Sequence, residues 1–108
     1  MSSLTPIKSD CCNALVNCIK DCQNLIATIK YVPGMEKCLE ATELCIGACA
    51  DCLDACESIR FDRGKMMFIC AEACKACATQ CEKHNSPESI KCADSCKKCL
   101  VELEHLMA

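Results

Sequence analysis

Cysteines recur along this chain at steps of four, three and four residues: Cys45, Cys49, Cys52 and Cys56, then Cys70, Cys74, Cys77 and Cys81. Residues three and four apart share one face of an α-helix, so the spacing lays thiols in rows along two helices. Extended by the same step, the first row begins at Met35 and Cys38 and passes Thr42, and the second begins at Met67 and leaves at His84. Two further stretches carry the period, through Cys11, Leu15, Cys18, Cys22, Leu25 and Ile29, and through Cys92, Cys96, Cys99, Leu103 and Leu106. Of the sixteen cysteines, Cys12 alone falls off a stripe.

Breaks in the period set the architecture. Thr5 before Pro6 reads as an N-cap with proline at the first helical position, and Val32-Pro33-Gly34 stops the helix that follows. Phe61-Asp62-Arg63-Gly64 is turn-prone, and His84-Asn85-Ser86-Pro87 supplies a break, a cap residue and another proline. Helices are expected over about residues 6–31, 35–59, 65–83 and 87–107. No segment alternates with period two, so no strands are expected. The prediction is an all-α fold, an up-down-up-down antiparallel four-helix bundle with a cysteine-lined core, and 108 residues suffice for one such domain. Antiparallel order places Ile29, Met35, Cys38, Cys81, His84 and Cys92 at one end. Cys11, Cys56, Met67, Cys70 and Leu106 fall at the other.

The only aromatics are Tyr31, Phe61 and Phe68, so bulky core-filling side chains are scarce. A net charge of −3 is spread over interleaved acids and bases, with no basic cluster to grip phosphates. Nucleic acid is not an expected partner. The N-terminal MSSLTPIKSD lacks the parts of a secretory signal, and no apolar run reaches membrane-spanning length. The expectation is a cytoplasmic protein away from membranes, where thiols are kept reduced and dense cysteine points to metal rather than to disulfides.

Soft thiolates select soft ions: copper(I), zinc and iron–sulfur clusters. Zinc wants four ligands converging tetrahedrally, commonly from C-x-x-C turns in loops, which long mid-helix rows serve poorly. Copper(I) accepts two or three thiolates, and a C-x-x-x-C pair with Cβ atoms roughly 5–6 Å apart can bracket one ion. Such pairs occur at Cys18/Cys22, Cys45/Cys49, Cys52/Cys56, Cys70/Cys74, Cys77/Cys81 and Cys92/Cys96. Three segments also match C-x-x-x-C-x-x-C, the cluster motif of radical S-adenosylmethionine enzymes. Those enzymes carry the motif once, in a loop of a larger barrel, so three mid-helix copies are a coincidence of spacing. Two other readings stay open: a zinc or cadmium sequestering protein, and a structural bundle whose cysteines form disulfides or merely pack.

The expected metal ligands are all sixteen cysteines: Cys11, Cys12, Cys18, Cys22, Cys38, Cys45, Cys49, Cys52, Cys56, Cys70, Cys74, Cys77, Cys81, Cys92, Cys96 and Cys99. His84, at a helix end, is either a solvated residue balancing the helix dipole or a ligand where ions pass the bundle mouth. Met35 and Met67 continue the rows, as thioether ligands or as gap-filling core. His105 lies one position off its stripe. No catalytic pair is apparent, and no enzyme activity is expected.

The stretch CAEACKACATQCEKH, Cys70 to His84, followed by CADSCKKC, Cys92 to Cys99, resembles the third and fourth helices of the cysteine-rich copper storage proteins, in particular the cytosolic type. CLEATELCIGACADCLDAC, Cys38 to Cys56, is similar to the second helix of that family. The resemblance covers roughly residues 8 to 100. It implies a store of multiple Cu(I) ions held by thiolates along the bundle axis, a polar or histidine-bearing mouth, and a homo-oligomer such as a tetramer. Leu15, Leu103 and Leu106 depart from a dense cysteine row, and they are expected to plug the end that holds Cys11. Two thiolates per ion give about eight ions, and extensive sharing gives up to roughly one ion per sulfur.

Overall fold

The computed structural model describes residues 9–58 and 60–108. Four α-helices follow in order: α1 Ser9–Ile29, α2 Glu36–Glu57, α3 Arg63–Cys81 and α4 Pro87–Met107. Each is 19 to 22 residues long, or about 28–33 Å at 1.5 Å per residue. Each helix packs on its neighbours in sequence and α1 closes against α4, while the diagonal helices keep their backbones apart and meet only through side chains on the axis. The result is a square up-down-up-down bundle, and the described residues contain no strand.

The connections follow from their residues. Gly34 adopts φ 88°, which an L side chain seldom tolerates, and so reverses the chain between α1 and α2. Between α2 and α3 the Arg60 guanidinium bonds Asp54 at 2.9 Å and Asp62 at 2.6 and 3.0 Å, closing the turn from both sides. Before α4 the Ser86 hydroxyl accepts the Ser89 N–H at 3.1 Å, and Pro87 takes the first helical position. This is the cap and proline pairing expected from the sequence.

Several boundaries differ from expectation by one or two residues, with α1 ending at Ile29, α2 beginning at Glu36 and α3 ending at Cys81. The third helix begins at Arg63 rather than Lys65, because Gly64 lies in the first turn, where its missing side chain costs little and the Arg60 bracket already holds the chain. The second helix ends at Glu57. Thr5, Pro6 and Ile59 lie outside the described residues.

The core is a column of sulfur. Fifteen cysteines are buried and free, and Cys12 is half-buried. Leu15, Leu25, Ile29, Met67 and Leu103 complete the column, with Ala71, Ala78 and Ala93 beside it. All three aromatics are outside, Tyr31 at 87%, Phe61 at 104% and Phe68 at 59% exposure. Leu106 corrects the expected plug: in the last turn of α4, with little of the described chain facing it, it is 37% exposed. Leu15 and Leu103, fully buried, fill the column towards that end.

On the outside of the α1–α4 seam, Asp21 is nearly buried and accepts a hydrogen bond from the Ser95 hydroxyl. Lys91 stands 3.9 Å away on the same carboxylate. A satisfied carboxylate here costs little and fixes the register of the two helices.

Candidate metal-binding core

The i, i+4 thiols meet along each helix and also across helices. Cys45 of α2 lies 3.8 Å from Cys18 of α1, 3.8 Å from Cys74 of α3 and 3.9 Å from Cys96 of α4. It is also 3.9 Å from Cys49 on its own helix. Cys18 and Cys96 are 3.7 Å apart, Cys22 and Cys92 3.6 Å, and Cys70 and Cys49 3.6 Å. Towards the His84 end, Cys77 lies 3.9 Å from both Cys81 and Cys92. Cys52 and Cys56 pair at 4.0 Å further down.

Among the described residues these sulfurs form four groups of four: Cys18/Cys45/Cys49/Cys74, Cys18/Cys22/Cys45/Cys96, Cys22/Cys77/Cys92/Cys96 and Cys49/Cys70/Cys74/Cys99. Every sulfur in a group lies within 4.8 Å of the others, and every member is buried. The groups use only ten cysteines, because Cys18, Cys22, Cys45, Cys49, Cys74 and Cys96 each belong to two. The interior is thus a connected network rather than a set of separate cages.

The electrostatics follow from crowding. Burial pushes Cys11 up to about 12 from an ordinary 9.0, with Cys52, Cys12 and Glu102 adding negative neighbours. Cys56 is pushed up to about 12 as well, by burial first and then by Cys52. Cys18 is held well below the thiol range because Cys22, Cys45, Cys49 and Cys74 hydrogen-bond its sulfur, against the effect of burial. Cys22, Cys49 and Cys96 are raised, each chiefly through its hydrogen bond with Cys18. One thiolate surrounded by S–H donors is tolerated in a dry core, and several together need cations.

The remaining expected residues separate. His84 is half-buried and lines a pocket of about 250 Å³ with Cys81, Ile90 and Ala93. Met35, at the same end, is half-buried against the core but lines a different pocket, of about 230 Å³, with Ile29 and Leu39. Met67 is 5% exposed in the core near the opposite end. His105 is exposed. Two buried hydroxyls were given no role by sequence reasoning: Thr42 and Ser89, both fully enclosed near the His84 end. The signal for Thr42 was its place on the α2 stripe between Cys38 and Cys45. That for Ser89 was its place three residues before Cys92.

A four-helix bundle whose axis is filled with mutually touching thiols defines a polythiolate metal-binding protein. The family model "Csp: Copper storage protein" matches residues 5–108, and the chain belongs to that family. A solved structure described as "Cu(I)-bound Copper Storage Protein BsCsp3" superposes with a TM-score of 0.84 at 24% identity, covering 91% of this chain and 95% of that one. At that identity the match speaks for the fold. No curated protein sequence matches significantly.

Proposed function

We propose that this bundle stores Cu(I), holding many ions per chain as shared thiolates along its axis, without catalysing a reaction. The observation that carries the reading is the sharing of six cysteines between neighbouring four-thiol groups. The sulfur separations of 3.6–3.9 Å within the network suit bridging by small soft cations, and metal binding removes the thiol protons.

The same spacing approximates a tetrahedron edge for a divalent ion at about 2.3 Å from each sulfur, which favours zinc or cadmium as a second reading. Charge decides between them. One monovalent ion per thiolate leaves no net charge, whereas a divalent ion on four thiolates leaves two negative charges in a dry core. Exclusive four-thiol sites also waste the network, since no more than two of the four groups are free of common members.

The ligands are the sixteen cysteines, with Cys12 at the margin. His84 and Met35 stand where ions would pass. Met67, deep at the far end, suits packing better than passage. The polar end is the His84 end, where Thr42 and Ser89 are buried, and the opposite end carries Leu15 and Leu103. A groove of about 800 Å³ between α1 and α4 is lined chiefly by lysines, acids and amides, with Ala14, Ser95 and Val101 among them. No helix among the described residues is long and apolar enough to cross a membrane. A reducing cytoplasmic setting fits free thiols, and a homo-oligomer fits the exposed Val16, Leu44 and Phe68 on the bundle sides. The whole chain acts as one domain.

An anaerobic Cu(I) titration against a chromophoric chelator tests the reading. Eight or more tightly held ions per chain are expected, from about two thiolates per ion at the lower bound towards one per ion where shared thiolates cancel the charge. One or two ions would reduce the network to a discrete site and overturn the store.

A further inference from the structure

Thr42 interrupts the α2 row at the single stripe position between Cys38 and Cys45, and it is fully buried. Its hydroxyl donates to the Cys38 carbonyl at 2.6 Å and accepts the Cys77 S–H at 3.6 Å. Neither Cys38 nor Cys81 belongs to a four-thiol group, whereas Cys77 belongs to one with Cys22, Cys92 and Cys96. Cys77 lies 3.9 Å from Cys81. Cys38 and Cys81 thus form an outer pair, and the interior begins with Cys77 and Cys92, which both neighbour Cys81; Thr42 contacts the first of these. On the α2 side the next rung is an alcohol, a hard ligand that a soft ion passes over.

We propose that Thr42 is a positioning residue that makes Cys77 the relay between the outer pair and the interior thiols, and that its hydroxyl steadies the Cys77 sulfur as an ion crosses. The inference rests on the storage reading. In the step, a Cu–S bond forms at Cys77 as the bond to Cys81 breaks, and the Cys77 proton moves to the vacated Cys81 sulfur. One cation moves inward and one proton outward, so no net charge enters the core. Having lost the Cys77 S–H, the Thr42 oxygen is no longer an acceptor for it. Its O–H turns from the Cys38 carbonyl, which keeps its helical N–H partner, onto the Cys77 sulfur. A hydrogen bond to an anionic sulfur in a low-dielectric core exceeds the one given up.

The test measures rates and capacity together: anaerobic stopped-flow loading from a Cu(I)–chelator complex, removal by excess chelator, and end-point stoichiometry. Thr42→Val keeps the shape and removes the hydroxyl. It is expected to leave capacity unchanged and slow both rates about tenfold, the size of one hydrogen bond to a charged group. Thr42→Ser is expected to restore them. Unslowed rates in Thr42→Val, or Thr42→Ser as slow as Thr42→Val, would overturn the proposal. Far-UV circular dichroism checks that each variant is helical, and if Thr42→Val fails to fold, Thr42→Cys decides. A thiol there is expected to load at least as fast as the wild type and to hold about one more ion; unchanged capacity and rate would mean that Thr42 does not border the ion path. Wild-type protein taking up one or two ions would instead remove the storage reading itself, a separate result.

Discussion

Cys22 on α1 and Cys92 on α4 meet sulfur to sulfur at 3.6 Å, although 70 residues separate them in the chain. The distance is too long for a disulfide, whose sulfurs stand about 2.05 Å apart. It suits two thiolates sharing an ion. The same relation recurs between Cys49 and Cys70, between Cys18 and Cys45 and between Cys77 and Cys92, so each helix interface is a seam that metal would stitch.

Cys45 is the hub, with four sulfurs at 3.8–3.9 Å from three helices and its own. Cys45→Ser is expected to cost about two ions or more, because a serine oxygen bridges Cu(I) poorly. Cys12→Ser, at the margin of the core, is expected to cost at most about one. Titration of both variants checks this, and equal losses would deny the network its hub.

Empty protein should lose stability in alkali. An unfolded thiol titrates near 9.0, whereas folded Cys11 and Cys56 titrate at about 12. Between those values the folded state binds more protons than the unfolded one, so stability falls as pH rises through the window. Below pH 9 the term is fully present. The loss at pH 10.5 is on the order of 2 kcal/mol per thiol. Thermal melts of the apo protein at pH 8 and pH 10.5 measure it. Copper-loaded protein, its thiol protons already gone, is expected to show little of this dependence.

Removing the α4 cap should weaken the scaffold and leave the store intact. Ser86→Ala loses the acceptor for the Ser89 N–H, worth about 1 kcal/mol. The apo melting temperature is expected to fall by about 4–8 °C. Copper capacity is expected to stay the same, and loading to recover the melting temperature by mass action.

His84 borders the pocket that reaches Cys81. His84→Ala is expected to slow loading from a Cu(I)–chelator complex and removal by chelator several-fold, with the end-point unchanged. Equal rates in variant and wild type would place the imidazole outside the ion path.

Much of this arrangement was legible in the sequence because one residue type marks the period. The 4-3-4 spacing of Cys70 to Cys81 fixes a helix face without reference to any partner, and Ser86-Pro87 marks a helix start by local chemistry alone. What failed depended on neighbours distant in the chain. Leu106 continues the α4 stripe by arithmetic, yet a stripe has meaning only while another helix faces it. The early start of α3 depends on Arg60 reaching back to Asp54 and forward to Asp62. Thr42 was visible as a gap in a row, but its link to Cys77 spans 35 residues and leaves no periodic trace.

With its three aromatics turned outward, the column is built from side chains of similar modest size. No bulky wedge must be evicted for one rung to change between thiol and aliphatic, as Leu15 and Leu103 already illustrate. Capacity is therefore a heritable dial: single-codon changes can lengthen or shorten the row of rungs, and the scaffold around it need not be redrawn.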